Sequence, residues 1–169
     1  MLNSTKRYDF RDKATDYANL ADELLGLLAG ERNWIANAAN TTALLFDALP
    51  GINWAGFYFL ESEQAGLVVG PFQGKPACVR IPLGKGVCGT AAATRRTIVV
   101  PDVHEFPGHI ACDAASRSEI VVPLIKGDTL LGVLDIDSPQ LARFDDADRH
   151  GIERLAAIFV AGSEDPESR

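Results

Sequence analysis

Three cysteines, Cys78, Cys88 and Cys112, are the residues of this sequence best suited to covalent chemistry. A thiolate attacks electrophiles, ligates metals and exchanges disulfides, and its availability depends on a lowered pKa. Cys88 falls in the first turn of a helix expected to open at Gly86, where unpaired N–H groups and the helix dipole favour the anion. Cys112 sits in an irregular stretch near His104, His109 and Arg117, any of which would stabilise a thiolate on close approach. Cys78 lies in an expected strand, where its surroundings favour an inert buried thiol. An odd number of cysteines argues against a permanent disulfide framework. The three also lack the short Cys-x2–4-Cys spacing of structural zinc, so no metal site is expected.

Carboxyl groups offer the complementary acid chemistry. Glu119, Asp135 and Asp137 all fall in segments with strand character. In the run L-L-G-V-L-D-I-D, Asp135 and Asp137 share one face, because side chains alternate along a strand. Carboxylates so placed either mark a solvated strand end or point into a pocket with raised pKa values. Gly84, Gly86 and Gly89 match a bare G-x-G-x-x-G. Pro82 ends the strand before them and no βαβ unit follows, so nucleotide binding is not expected.

The elements that must position these groups are legible from periodicity. From Thr15, the residues Tyr17, Leu20, Leu24, Leu27 and Leu28 recur every three or four positions and predict a helix with one buried face. A second stripe, Trp34, Ile35, Ala38, Leu45 and Leu49, ends at Pro50 and Gly51, and the two helices are read as a hairpin. Aromatic and β-branched residues in 53–60 and 66–72 flank a polar turn and predict a β-hairpin. A third strand is expected over 77–81, a short alanine-rich helix over 87–95 and a short strand over 97–100. Residues 101–116 form a long irregular loop of the kind that often carries function. A second hairpin, 119–125 with 129–136, precedes a closing helix from Asp145 with the stripe Ile152, Leu155, Ala156 and Phe159. Strands joined by tight turns imply an α+β fold with a central antiparallel sheet and helices packed on its faces.

The chain has 169 residues, 47% apolar and 23% charged, enough for one packed core. Positions 1–14 are expected to be a flexible N-terminal segment, 15–161 a single domain and 162–169 a flexible tail. A formal charge of −7 and the absence of a basic stripe argue against nucleic acid as a partner. Arg95 and Arg96 are read as a solvated helix end. No apolar run approaches the length of a membrane span, and the N-terminus lacks secretory features, so the expected location is cytoplasmic.

Several segments together resemble one known family. They are N-W-A-G-F-Y at 53–58, G-P-F-Q-G-K-P-A-C at 70–78, G-V-C-G-T-A at 86–91, V-P-D-V-H-E-F-P-G-H-I-A-C-D at 100–113, S-E-I-V-V-P at 118–123 and L-G-V-L-D-I-D-S at 131–138. They are similar to the free methionine-(R)-sulfoxide reductases, stand-alone GAF-domain enzymes, over nearly the whole chain. The resemblance implies that Cys112 is the nucleophile and that Cys78 and Cys88 are candidates for resolving it. Glu119 and Asp137 take the place of carboxylates that contact the sulfoxide oxygen, with Asp135 close by. Trp54 and Tyr58 take that of an aromatic wall for the substrate methyl group. It further implies a sulfenic acid, an intramolecular disulfide, recycling by thioredoxin (with NADPH acting indirectly through thioredoxin reductase), no bound cofactor and a homodimer. The competing readings are a small-molecule-binding GAF sensor module and a non-catalytic thiol redox sensor.

Overall fold

The computed structural model describes residues 8–109 and 113–164. Strands β1 (Trp54–Ser62), β2 (Gly66–Gly74), β3 (Arg80–Ile81), β4 (Ile98–Val100), β5 (Ser118–Lys126) and β6 (Thr129–Ser138) form one sheet in the order β3-β2-β1-β6-β5-β4. Every pairing is antiparallel, as the tight turns predict. Alternation divides the sheet into two faces. Ala55, Phe57, Ile120, Val122, Leu134 and Ile136 enter a large core on one side. Trp54, Tyr58, Val121 and Val133 face the other way into a smaller cluster that includes Cys88.

Helices α1 (Lys13–Leu28), α2 (Trp34–Ala48) and α4 (Asp146–Gly162) cover the large-core face. Each begins where a side chain satisfies an unpaired N–H group. Asp12 accepts from Thr15 N at 3.3 Å and Asn33 from Ala36 N at 3.0 Å, while Asp145 and Asp148 form a reciprocal capping box. Of the first stripe, Tyr17, Leu20, Leu24 and Leu28 are buried as the spacing predicts while Leu27 is only half-buried, and the stripe of α4 is buried throughout. Two expectations need correction. Ile35 is 54% exposed, because its neighbour Trp34 takes the inward direction and packs against Phe59 and Phe159 at 5.0 and 4.7 Å. Nor do α1 and α2 form a self-contained hairpin, since α1 lies mainly on α4 while α2 lies on β1 and β2.

The α1–α4 contact is both polar and tight. Asp148 is fully buried and accepts from Tyr17 Oη at 2.8 Å, Lys13 Nζ at 2.6 Å and Arg143 Nη1 at 3.2 Å. Gly151 faces the Tyr17 ring so closely that a Cβ would overlap three ring carbons. Overpacking of this kind costs about 1–3 kcal/mol, against a helix-propensity gain of about 1 kcal/mol for replacing glycine. Gly151→Ala is therefore expected to lower the melting temperature. An unchanged value in thermal denaturation would mean that α1 moves aside freely.

On the opposite face lies one short helix, α3 (Gly86–Thr94), after which Arg95 and Arg96 are exposed as read from the sequence. The strand expected over 77–81 shrinks to Arg80–Ile81, so Cys78 sits in irregular backbone and not in a strand. Pro76 accounts for this, since it has no N–H to donate to a ladder and restricts the residue before it. After β4, a 3₁₀ turn at Val103–Glu105 opens the long loop leading to β5.

Candidate active site

The site is built by the register of three adjacent strands. Trp54 on β1 pairs with Asp137 on β6, and Asp137 pairs on its other side with Glu119 on β5. One step along, Gly56 pairs with Asp135. Strand periodicity therefore sets Trp54, Tyr58, Asp135, Asp137 and Glu119 on one face. Gly56 is required there because a Cβ would collide with the Trp54 and Phe72 side chains. The space lets the Trp54 ring lie flat along the strand, stacked on Tyr58 and Phe72 with centroids 5.8 and 5.3 Å apart. The polar tips of both aromatics hold the β2–β3 connection: Trp54 Nε1 donates to Lys75 O at 3.0 Å and Tyr58 Oη to Cys78 O at 3.2 Å.

Helix α3 closes this face and lowers Cys88 onto the carboxyls. Cys88 Sγ lies 3.9 Å from Glu119 Oε1, and Asp135 offers a carboxyl oxygen within 4.8 Å of both. Glu119 Oε2 is 3.6 Å from His109 Nε2. Burial of the ring pushes the His109 pKa down, which disfavours the charged imidazolium that an ion pair would need. Burial, then the neighbouring carboxyls, raises Glu119, Asp135 and Asp137 well above the ordinary carboxylate range. Three such groups so close together cannot all be ionised, and they share protons at neutral pH. Both aspartates line a pocket, Asp135 buried and Asp137 half-buried, so neither is a freely solvated strand end.

The thiolate expected at Cys88 from its position in the first turn of α3 is not supported. Burial and then the charges of Asp135 and Glu119 raise its pKa well above 9.0. A helix N-terminus contributes about half a unit charge, and here carboxyls at contact distance outweigh it. Cys112 lies outside the described residues.

Loop residues that sequence reasoning did not single out complete the rim. Asn53 Nδ2 donates to Asp113 Oδ2 at 3.3 Å and to Ser116 Oγ at 3.2 Å, and Lys75 Nζ stands 3.4 Å from Asp113 Oδ1. The Ala115 backbone N–H, then Lys75 and Asn53, hold the Asp113 carboxyl below its usual range, so it is anionic. The only sequence signal for Lys75 and Asp113 is that each borders a cysteine motif, K-P-A-C or H-I-A-C-D. The cavity has a volume of about 30 Å³. That is room for a water or two.

The sheet order, the flanking helices and a pocket on the minor face define a GAF domain, and the GAF domain family matches residues 19–161. The free methionine-R-sulfoxide reductase of Escherichia coli K12 is 55% identical over 146 residues, which cover 86% of this chain and 87% of that one. This chain belongs to that family. Among solved structures, the Staphylococcus aureus enzyme in complex with substrate is 54% identical with a TM-score of 0.82, covering 86% of this chain and 94% of its own. A Burkholderia vietnamiensis chain described as a GAF sensor protein is 63% identical with a TM-score of 0.86, covering 89% and 95%. The family and the α+β GAF fold expected from the sequence are both borne out.

Proposed function

We propose that this chain reduces free L-methionine-(R)-sulfoxide to L-methionine. The observation that carries the reading is the convergence of Glu119, Asp135 and Asp137, all with raised pKa values, beneath the stacked rings of Trp54 and Tyr58. A sulfoxide presents this pair of demands: an oxygen that must be protonated before it can leave sulfur, and a small apolar methyl group beside it. Neutral carboxyls supply the first and the aromatic wall receives the second.

In this reading the Cys112 thiolate attacks the sulfoxide sulfur while Glu119 or Asp137 gives a proton to the oxygen. The oxygen ends on Cys112 as a sulfenic acid, the sulfur substrate leaves as methionine, and the enzyme has given up two electrons. A second thiol, from Cys78 or Cys88, then condenses with the sulfenic acid, releasing water and leaving a disulfide. Thioredoxin dithiol returns the two electrons by exchange, drawing on NADPH through its reductase. In this reading the loop 105–116 supplies backbone N–H donors to the carboxylate of the amino acid, which favours free over peptide-linked methionine sulfoxide. The working unit in this reading is a cytoplasmic homodimer. No helix of the described residues is long and apolar enough to cross a membrane.

The experiment is thioredoxin-coupled oxidation of NADPH with free R epimer, free S epimer and an N-acetylated, amidated analogue. Turnover confined to the free R epimer is the expected result. No turnover with any sulfoxide in folded, reduced protein would overturn the proposal and favour a ligand-binding sensor.

A further inference from the structure

We propose that Cys88, Glu119 and Asp135 form a binding site for one thiophilic divalent cation, zinc or cadmium, and that the bound cation blocks reduction by occupying the place of the sulfoxide oxygen. The blocking half of this inference rests on the function proposed above; the binding half does not.

The geometry is that of a cation site with one soft and two hard donors. One ligand atom from each residue lies within 4.8 Å of the others, and Cys88 Sγ and Glu119 Oε1 are 3.9 Å apart. Zinc holds thiolate sulfur at about 2.3 Å and carboxylate oxygen at about 2.0–2.2 Å, so a tetrahedral angle separates the two by about 3.5 Å. The Cys88–Glu119 pair needs a contraction of only a few tenths of an ångström, and a pair at the 4.8 Å limit needs about an ångström more to seat the ion. All three side chains are buried, on α3, β5 and β6, so their positions are set by regular structure.

A second observation points to a ligand. Asp135 is 6% exposed and lines the cavity, yet its Oδ1 is buried with no hydrogen-bond partner. An acceptor left so in an interior is costly, and a cation satisfies it directly. The cavity of about 30 Å³ takes an ion with one water. His109 lines the same space, 3.6 Å from Glu119.

Thiolate with carboxylate selects zinc or cadmium over magnesium or calcium, which favour all-oxygen sets. The sequence lacks the paired-cysteine spacing of structural zinc, and this arrangement does not use it: it takes one cysteine from helix α3 and two acids from the adjacent strands β5 and β6. Because the thiol and the shared carboxyl protons must leave as the ion enters, affinity rises with pH.

The test is titration of the reduced full-length chain with Cd²⁺ alone, followed by sulfur-to-cadmium charge-transfer absorption and by calorimetry. One ion per chain is expected, with proton release. Cys88→Ser and Asp135→Asn should each weaken binding by more than about a hundredfold, with melting temperatures confirming that both variants fold. Cys112→Ser should bind cadmium as wild type does. An absorption band that survives Cys88→Ser, or that vanishes with Cys112→Ser, overturns the site. In the reductase assay, Zn²⁺ should raise KM for the sulfoxide without lowering kcat, and a chelator should reverse it. Cadmium binding at Cys88 without such inhibition overturns the blocking half. Absence of any sulfoxide turnover would instead strike the proposed function and leave the cadmium result standing on its own.

Discussion

Glu119→Gln is expected to lower kcat about 10²–10⁴-fold, the usual worth of a general acid, while leaving the melting temperature at neutral pH unchanged or higher. Glutamine keeps the shape and the neutrality of a protonated glutamate but has no proton to give. Burial, then Asp137, holds the Glu119 pKa well above its ordinary 4.5, so the folded state keeps a proton that the unfolded chain has lost. Linkage gives the sign: a raised carboxyl contributes stability that is present below about pH 4.5 and is lost as pH rises towards the folded pKa. Asp135 and Asp137 act in the same direction. Removing the acidic group therefore relieves a cost of folding at pH 7, where the reaction needs it most. The same titration gives wild-type kcat/KM an alkaline falling limb, and the variant should show a weaker one. Unchanged turnover in Glu119→Gln would remove this residue from proton transfer and leave Asp137 as the donor.

The parts of this site that could be read from sequence are those that depend on local period. Asp135 and Asp137 fall on one face because strands alternate, and the same rule puts Trp54 and Tyr58 together. What period cannot supply is which face meets which. That Trp54, Asp137 and Glu119 form one row depends on two registers: that of β1 against β6, whose paired residues are 73–83 positions apart, and that of β5 against β6 within their hairpin. Cys88 shows the cost of that gap most clearly. Its first-turn position argued for a thiolate, but the groups that decide its ionisation arrive from strands distant in sequence. Cys78 went wrong for a nearer reason, since Pro76 breaks the ladder just before it. Trp34 and Ile35 were equally good core residues by type. Only the neighbours Phe59 and Phe159 choose between them. Lys75 and Asp113 carried almost no signal, because charged residues in loops are usually solvated and only the fold brings these two to one rim.

Cys112→Ser is expected to abolish turnover, by about 10⁴-fold or more, whereas Cys88→Ser should retain much of it. The contrast follows from what each thiol can do. Cys88 is buried among three carboxyls that penalise its anion, so its thiolate fraction at neutral pH is below that of an ordinary cysteine and its nucleophilicity is poor. A group held protonated against the acids that activate the substrate is badly placed to attack it. In the proposed mechanism the nucleophile is instead Cys112, the role that the family resemblance of H-I-A-C-D implies for it. Single-turnover stoichiometry divides the remaining work. Without thioredoxin, wild type should yield one methionine per chain with loss of two thiols. Cys78→Ser should still yield methionine but accumulate a sulfenic acid that dimedone traps at Cys112, because the Cys78 backbone is tethered by Tyr58 next to residues 75–77, which line the cavity. A disulfide forming normally in Cys78→Ser would transfer resolution to Cys88. Methionine formed by Cys112→Ser but not by Cys88→Ser would reverse the two roles, and would require the carboxyl cluster to ionise Cys88 during catalysis despite the burial that now opposes it.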